Sequence, residues 1–370
     1  MITALTNCII ISNGSEIFGR AVLIKDTAIL DVVNATSIPD DSTVIDLDGA
    51  YLAPGLIDLQ IYGSGGQLFG GNPTVSALEQ METDLLRQGT TGFFATVATN
   101  TNEIVEHAIY SAKSYRKHSK GNFLGLHLEG PYLNPKRKGA HPEKYIKKAV
   151  LAEVKDWIVQ AEGEIKMITI APELQDREVV DYLNAQNIII SCGHSDASYE
   201  EATAFFDHIS AVTHLFNAMP AIHHRQPGLI PAVFKKKPFA SIVADGIHVN
   251  FAMIELAKQL LGDKLFLITD AVTEANEGVY PHVFTGDRYT MPDGTLSGSA
   301  LSMLQAVKNC INEAGIQLSE AINMASLYPA KLIKSLNKGK VEASYSADLI
   351  AFDKNLQITK VWLNGEAVKF

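Results

Sequence analysis

Cysteine is scarce in this chain of 370 residues: Cys8, Cys192 and Cys310 lie far apart and form no CxxC pair. Neither a disulfide framework nor a thiolate zinc site is indicated, and a reducing compartment fits. Basic residues are also in deficit, 31 against 41 acidic, and the formal net charge of -10 repels a polyphosphate backbone, so nucleic acid is not an expected partner. One phosphate on a small molecule is a different matter, because a local cluster of Arg and His can hold it even on an acidic protein. Long apolar runs are missing too. No segment approaches the ~20 apolar residues of a membrane span, and the opening MITALTNCIIISNGSEIF has no basic region ahead of its short apolar run. A cytoplasmic protein with no membrane partner is expected.

What is present is the composition of a folded protein with a large core: 46% hydrophobic residues, 19% charged residues and 27 glycines spread along the chain. Short apolar, β-branched runs occur at 56–63, 91–99, 123–130, 165–173, 187–195, 211–218, 241–249 and 265–271, eight in all. Helix-like stretches follow most of them, as at 74–89, 176–186 and 198–206, where Ser198 and Glu201 have capping-box spacing. Alternating strand and helix implies an α/β fold with a parallel sheet, and near-continuous apolar strands imply burial on both faces. Polar, reactive residues recur where these runs end: Gln60, Glu129, Glu173, His194, His214, Asp245 and Asp270. A closed (β/α)8 TIM-like barrel gathers all such ends at one mouth, whereas an open doubly wound sheet strings them along an edge. The barrel is the expectation.

The two ends of the chain read differently. Residues 1–52 are short strands broken by turn signals such as NGS at 13–15 and DDS at 40–42, and residues 340–370 have the same character, with an Asn364-Gly365 hairpin turn. A small β-sandwich domain built from both termini is expected beside a catalytic barrel of residues 53–339.

Three of the strand ends carry metal-ligand types: Glu129 in HLEGPY, His194 in CGHSDA and His214 in VTHLFNA. A single His or Glu at a strand end is ordinarily a hydrogen-bonded structural residue. Three at one mouth, left uncompensated, would be a costly set of buried polar groups. One carboxylate and two imidazoles around an open position suit a catalytic divalent metal, zinc by default, although the ligand types also admit Fe2+, Co2+ or Mn2+. Asp270, in ITDAV, faces the same mouth and is the natural general base for an activated water. Cys192 lies two residues before His194, and a small sulfur there reads as core filler.

With these residues identified, the chain resembles the N-acetylglucosamine-6-phosphate deacetylases of the amidohydrolase superfamily. The resemblance runs through APGLIDLQIYGSGG (53–66), GLHLEGPYLNPKRKGAH (125–141), SCGHSDASYEEA (191–202), VTHLFNAMPAIHHRQPGL (212–229), ADGIHVN (244–250), ITDAV (268–272) and GTLSGSALSM (294–303). It implies Glu129, His194 and His214 as metal ligands and Asp270 as the catalytic acid and base, in agreement with the strand-end reading. It further implies that Ala140 and His141 touch the substrate, with His141 beside the acetyl carbonyl as a catalytic donor. Phosphate contacts would come from Asn217, Ala218, Arg225 and His248, and Leu296, Ser297 and Gly298 would line the sugar site. From the residues alone, the HHR run at 223–225 reads as a solvated basic loop. A homodimer, with phosphate contacts able to cross its interface, is also implied.

One departure matters. Many amidohydrolases carry an HxH pair after the first strand, and this chain has Gln60-Ile61-Tyr62 instead. Strand four ends Ala171-Pro172-Glu173, with no lysine to carboxylate into a bridging ligand. A single metal per chain is therefore expected, with Gln60 near it but not a strong ligand. The expected reaction is hydrolysis of the acetamide of N-acetylglucosamine 6-phosphate. The alternatives are another amino-sugar phosphate such as N-acetylgalactosamine 6-phosphate, and a non-catalytic barrel scaffold, which would predict damage to a ligand set that is here complete.

Overall fold

The computed structural model of the chain describes residues 1–275 and 278–369. The apolar runs form eight parallel strands: β1 (Leu56–Ile61), β2 (Thr90–Ala98), β3 (Phe123–Glu129), β4 (Ile165–Ile170), β5 (Ile189–Cys192), β6 (Ala211–Val212), β7 (Phe239–Val243) and β8 (Leu265–Ile268). They are neighbours in chain order. The last closes on the first: Tyr62 N donates to Ala271 O at 2.9 Å and Asp270 N to Gln60 O at 3.0 Å. A helix follows each strand: α1 (Val75–Arg87), α2 (Asn102–Arg116), α3 (Leu151–Ala161), α4 (Arg177–Ala185), α5 (Tyr199–Phe205), α6 (Leu229–Lys236), α7 (Phe251–Leu261) and α8 (Met303–Ala314). The expected (β/α)8 barrel is the observed one.

Local sequence accounts for these elements. All nine residues of β2 are buried, as befits a strand covered by helices outside and side chains inside. In α1, Ala77, Leu78, Met81, Leu85 and Leu86 repeat at helical spacing and face the barrel, and the Thr74 side chain caps its start by accepting from Ala77 N. The Ser198–Glu201 capping box forms in both directions at the start of α5. No helix among the described residues is long and apolar enough to cross a membrane.

The chain ends build two sheets. One is four-stranded, from Ile2–Thr6, Arg20–Lys25, Ala28–Asn34 and Thr43–Asp46; the other is six-stranded, combining Ile9–Ser12, Ser15–Ile17 and Tyr51–Pro54 with Leu349–Phe352, Ile358–Leu363 and Glu366–Ala367. Leu5, Ile10, Val22, Ile24, Leu349 and Trp362 belong to the core of this terminal β module. Its hairpins follow from their turn residues. Asn364 and Gly365 link the paired Leu363 and Glu366 with φ of 52° and 79°, and Asn13 and Gly14 link Ser12 and Ser15 with 51° and 79°. Two left-handed residues in a row are what a type I′ turn requires.

Two features differ from the sequence reading. β5 and β6 are shorter than the runs at 187–195 and 211–218, because the chain turns inward beyond Cys192 and Val212 to bring polar residues over the mouth. Between β8 and α8, Val283–Phe284, Arg288–Thr290 and Leu296–Ser299 form an antiparallel three-stranded extension. No apolar run announces it.

The docking of the C-terminal hairpin is testable. A Cβ at Gly365 would lie 1.9 Å from the Asp26 carbonyl oxygen. Gly365→Ala is expected to cost at least about 1–2 kcal/mol from the left-handed backbone alone, read as a lowered thermal midpoint by circular dichroism. An unchanged midpoint would contradict this close approach.

Candidate active site

The side chains at the mouth are delivered by a repeated backbone device. Glu129 is the last residue of β3, and His194, His214 and Asp270 each lie two residues beyond the end of their strand, β5, β6 and β8. Those three have positive φ: 48°, 33° and 54°. Left-handed backbone is uncommon for residues other than glycine, and it costs free energy that the surrounding structure must supply. Here it turns each chain segment over the barrel opening.

The four side chains converge. Glu129, 2% exposed, places Oε1 3.0 Å from His214 Nε2 and 3.4 Å from His194 Nε2, while its Oε2 is 3.3 Å from His141 Nε2. The Nε2 atoms of His194 and His214 are 3.0 Å apart. Two imidazole nitrogens facing each other beside a carboxylate are the donor set of a cation site: nitrogens ~2.0–2.1 Å from one tetrahedral zinc would be roughly 3.3 Å apart. The ligand atoms of Glu129, His141 and His194 also lie within 4.8 Å of one another, so the structure brings His141 closer to the cluster than the sequence reading placed it.

Hydrogen bonds separate the roles of these imidazoles. His194 Nδ1 is 2.8 Å from the Arg137 carbonyl. Only a protonated Nδ1 satisfies that oxygen, which leaves the Nε2 lone pair for a metal. His141 is the reverse case, because its Nδ1 accepts the Thr99 backbone N–H at 3.3 Å. Its proton therefore sits on Nε2, which points at Glu129 Oε2 at 3.3 Å. Burial, and then the neighbouring His141, push the His194 pKa down to about 4, keeping it neutral as a ligand must be. Burial alone would raise the Glu129 carboxyl, but the imidazoles of His141, His194 and His214 gathered around it hold it well below its ordinary value. Burial raises Asp270, with the charge of His214 opposing.

Gln60 and Tyr62 complete the floor. Gln60 Nε2 lies 3.1 Å from Glu129 Oε1, 2.7 Å from Asp270 Oδ1 and 2.9 Å from the Tyr62 hydroxyl, and that hydroxyl donates to Glu129 Oε2. The amide bridges the carboxylate of the cluster to Asp270 and occupies no ligand position of its own. Tyr62 was missed from the sequence, although it shares a strand face with Gln60 at i and i+2 and stands where the second His of an HxH pair would be. Beneath them, Asp58 accepts from Thr269 Oγ1 and from the backbone N–H groups of Gln60 and Thr269, tying β1 to β8. Burial raises its pKa to about 7.

A cavity of about 260 Å³ opens above this cluster. Glu129, His141, His194, His214 and Asp270 line it, together with Ala140, Asn217, Ala218, His248, Leu296, Ser297 and Gly298. Of the site residues named from sequence, Arg225 alone lies elsewhere, on the exposed loop 221–226. His248 is held by Asp245, whose Oδ2 is 2.6 Å from Nδ1 and whose Oδ1 accepts the N–H groups of Ile247 and His248. Tyr280 and His282 also line the cavity and went unnoticed in the sequence. Glu173 does not reach it: it accepts from Asn134, Ser195 and the Asp196 amide, bracing the loops behind. Cys192 is fully buried, and burial drives its thiol pKa well up.

The sequence profile of the amidohydrolase family matches residues 51–368. The chain belongs to the amidohydrolase family. Among its curated relatives, this amidohydrolase is 34% identical to the N-acetylglucosamine-6-phosphate deacetylase of Haemophilus influenzae, with 98% of each chain covered. It is 29% identical to the N-acetylgalactosamine-6-phosphate deacetylase of Escherichia coli O157:H7, covering 92% of this chain and 94% of that one. Among solved structures it is similar to the N-acetylglucosamine-6-phosphate deacetylase of Pasteurella multocida, with a TM-score of 0.94, 33% identity and full coverage of both chains.

Tyr62→Phe removes the phenol that orients Glu129. Loss of such a supporting hydrogen bond should weaken metal affinity by roughly 10–100-fold, measured by competition with a chromogenic chelator. Equal affinity in the two proteins would show that the phenol does not tune the site.

Proposed function

We propose that this amidohydrolase hydrolyses the acetamide of N-acetylglucosamine 6-phosphate, releasing acetate and glucosamine 6-phosphate. The observation that carries the reading is one cavity lined by two chemically distinct groups. Glu129, His194, His214, His141 and Asp270 form one, and His248 with Asn217 and Ala218 lines the same space. The names of the relatives, two phosphorylated N-acetyl amino sugars among them, support the same substrate class.

Glu129, His194 and His214 would hold one divalent cation, most simply zinc, with Fe2+, Co2+ and Mn2+ as alternatives of the same ligand class. Bound there, it supplies a Lewis acid that polarises the amide carbonyl and acidifies a water molecule. Asp270 takes the proton of the attacking water and passes it to the departing nitrogen. Its carboxyl pKa, raised by burial, brings it nearer the pH at which a group both accepts and returns a proton. With Glu129 engaged in holding the cation, the His141 Nε2–H can donate to the oxygen on which negative charge develops, its ring held beforehand by Thr99. Gln60, hydrogen-bonded to Asp270, fixes the carboxylate for this transfer.

His248 Nδ1 is engaged by Asp245, which leaves Nε2 to meet the phosphate, with Asn217 and the backbone at Ala218 lining the same cavity. Anchoring the phosphate fixes the acetamide against Asp270, so binding energy remote from the reaction sets its geometry. Arg225 lies outside the cavity of its own chain. We place it in a homodimer, where its loop can serve the partner's phosphate. The three free, buried cysteines fit a cytoplasmic enzyme. The relative from Escherichia coli favours a second reading, deacetylation of N-acetylgalactosamine 6-phosphate. The ratio of kcat/KM for the two sugars decides between them.

Purified protein should release acetate from N-acetylglucosamine 6-phosphate, stop after chelation and recover with zinc, and metal analysis should return one equivalent per chain. Two full equivalents, or activity indifferent to chelation, would refute the site as drawn. Asp270→Asn should lower kcat by roughly 10²–10⁴-fold, the usual contribution of general acid–base catalysis, while the metal content stays unchanged. An active Asn variant would remove Asp270 from the proton transfer.

A further inference from the structure

On a phosphorylated amino sugar the acetamide and the phosphate are taken by the groups assigned above, and what remains to be recognised are neutral ring hydroxyls. We propose that His282 is the residue that reads one of them and so sets specificity for the sugar ring. This rests on the function proposed above.

His282 sits in the antiparallel extension inserted after β8, where Ala275 N donates to its carbonyl at 3.2 Å. Its ring lines the same cavity as the metal-ligand cluster and is 3% exposed. Nδ1 is engaged by Ser297 Oγ at 2.9 Å, and Nε2 has no protein partner among the described residues. With Nδ1 occupied, either tautomer leaves Nε2 able to pair with a hydroxyl, as donor or as acceptor. Burial pushes the ring pKa down to about 4, so it is neutral and suited to a hydroxyl more than to a phosphate.

The position of the ring is fixed from two sides. Ser297 holds one edge, and Tyr280 stacks on the face with ring centroids 6.0 Å apart and planes 17° from parallel. The Tyr280 hydroxyl donates to Thr99 O at 2.6 Å, and the N–H of the same Thr99 orients His141. The hydroxyl reader and the oxyanion donor are thus registered against one residue at the end of β2. A site built to hydrogen-bond a hydroxyl discriminates strongly against ligands that lack it, because the protein group is then left unpaired.

The test is kcat/KM for N-acetylglucosamine 6-phosphate and its 1-, 3- and 4-deoxy analogues, on wild type, His282→Phe and His282→Gln, with folding checked by circular dichroism. His282→Phe should lower kcat/KM on the parent sugar by roughly 10–100-fold, the cost of an unpaired buried group. On the one analogue lacking the hydroxyl that His282 reads, it should change little, and His282→Gln should recover part of the loss. A loss of the same size on every analogue, or no loss on the parent, overturns the role of His282 while leaving the deacetylase reading intact. Wild type inactive on the parent sugar overturns both.

Discussion

The carboxylate of Glu129 is the constraint around which the mouth of the barrel is organised. A charge taken out of water is tolerated only when partners replace the lost solvent. Here those partners arrive from separate parts of the chain: Gln60 from β1 and Tyr62 from just beyond its end, His141 from the loop after β3, His194 from beyond β5 and His214 from beyond β6. None of them is near another in sequence except Gln60 and Tyr62. The barrel is the device that makes them neighbours, and the carboxylate is in turn what gives them a common target.

That arrangement has a conformational cost. His194, His214 and Asp270 all adopt left-handed backbone, and such strain persists only where the surrounding structure over-determines it. The determinants are visible. His214 N donates to Ser241 Oγ from β7 at 2.8 Å, Asp270 N donates to Gln60 O across the barrel seam, and Asn134 N donates to His194 O at 3.0 Å. Each strained residue is thus tied by a hydrogen bond to a different element. The rigidity of the floor is what holds reactive groups in place before any substrate arrives.

How much of this is legible in sequence follows from the kind of signal each part leaves. Parallel strands buried on both faces produce apolar runs, so all eight barrel strands could be read, although the two-residue β6 could not be sized. Glu129, His194, His214 and Asp270 were readable because each ends or follows such a run. Ala140, Asn217, Ala218, Arg225 and His248 lie in loops, and Leu296, Ser297 and Gly298 in a short strand of the inserted extension, and only the family resemblance singles them out. Tyr62 left a signal in its spacing from Gln60 that was read as a missing ligand and not as a supporting one. Tyr280 and His282 left none, because the extension that carries them is short-stranded and irregular. Arg225 stands exposed on the loop 221–226, away from the cavity, and only the resemblance names it.

The six-stranded terminal sheet joins Tyr51–Pro54 to Leu349–Phe352, with Leu52 opposite Ala351, so its two halves leave the ribosome far apart in time. At the usual ~5–20 residues per second of synthesis, the earlier half waits on the order of tens of seconds for its partner. Throughout that interval an apolar strand edge stands open, a template for any other extended chain. The protein is therefore most vulnerable to aggregation while it is being made, and the late pairing of Leu349–Phe352 is the latch that ends the exposure.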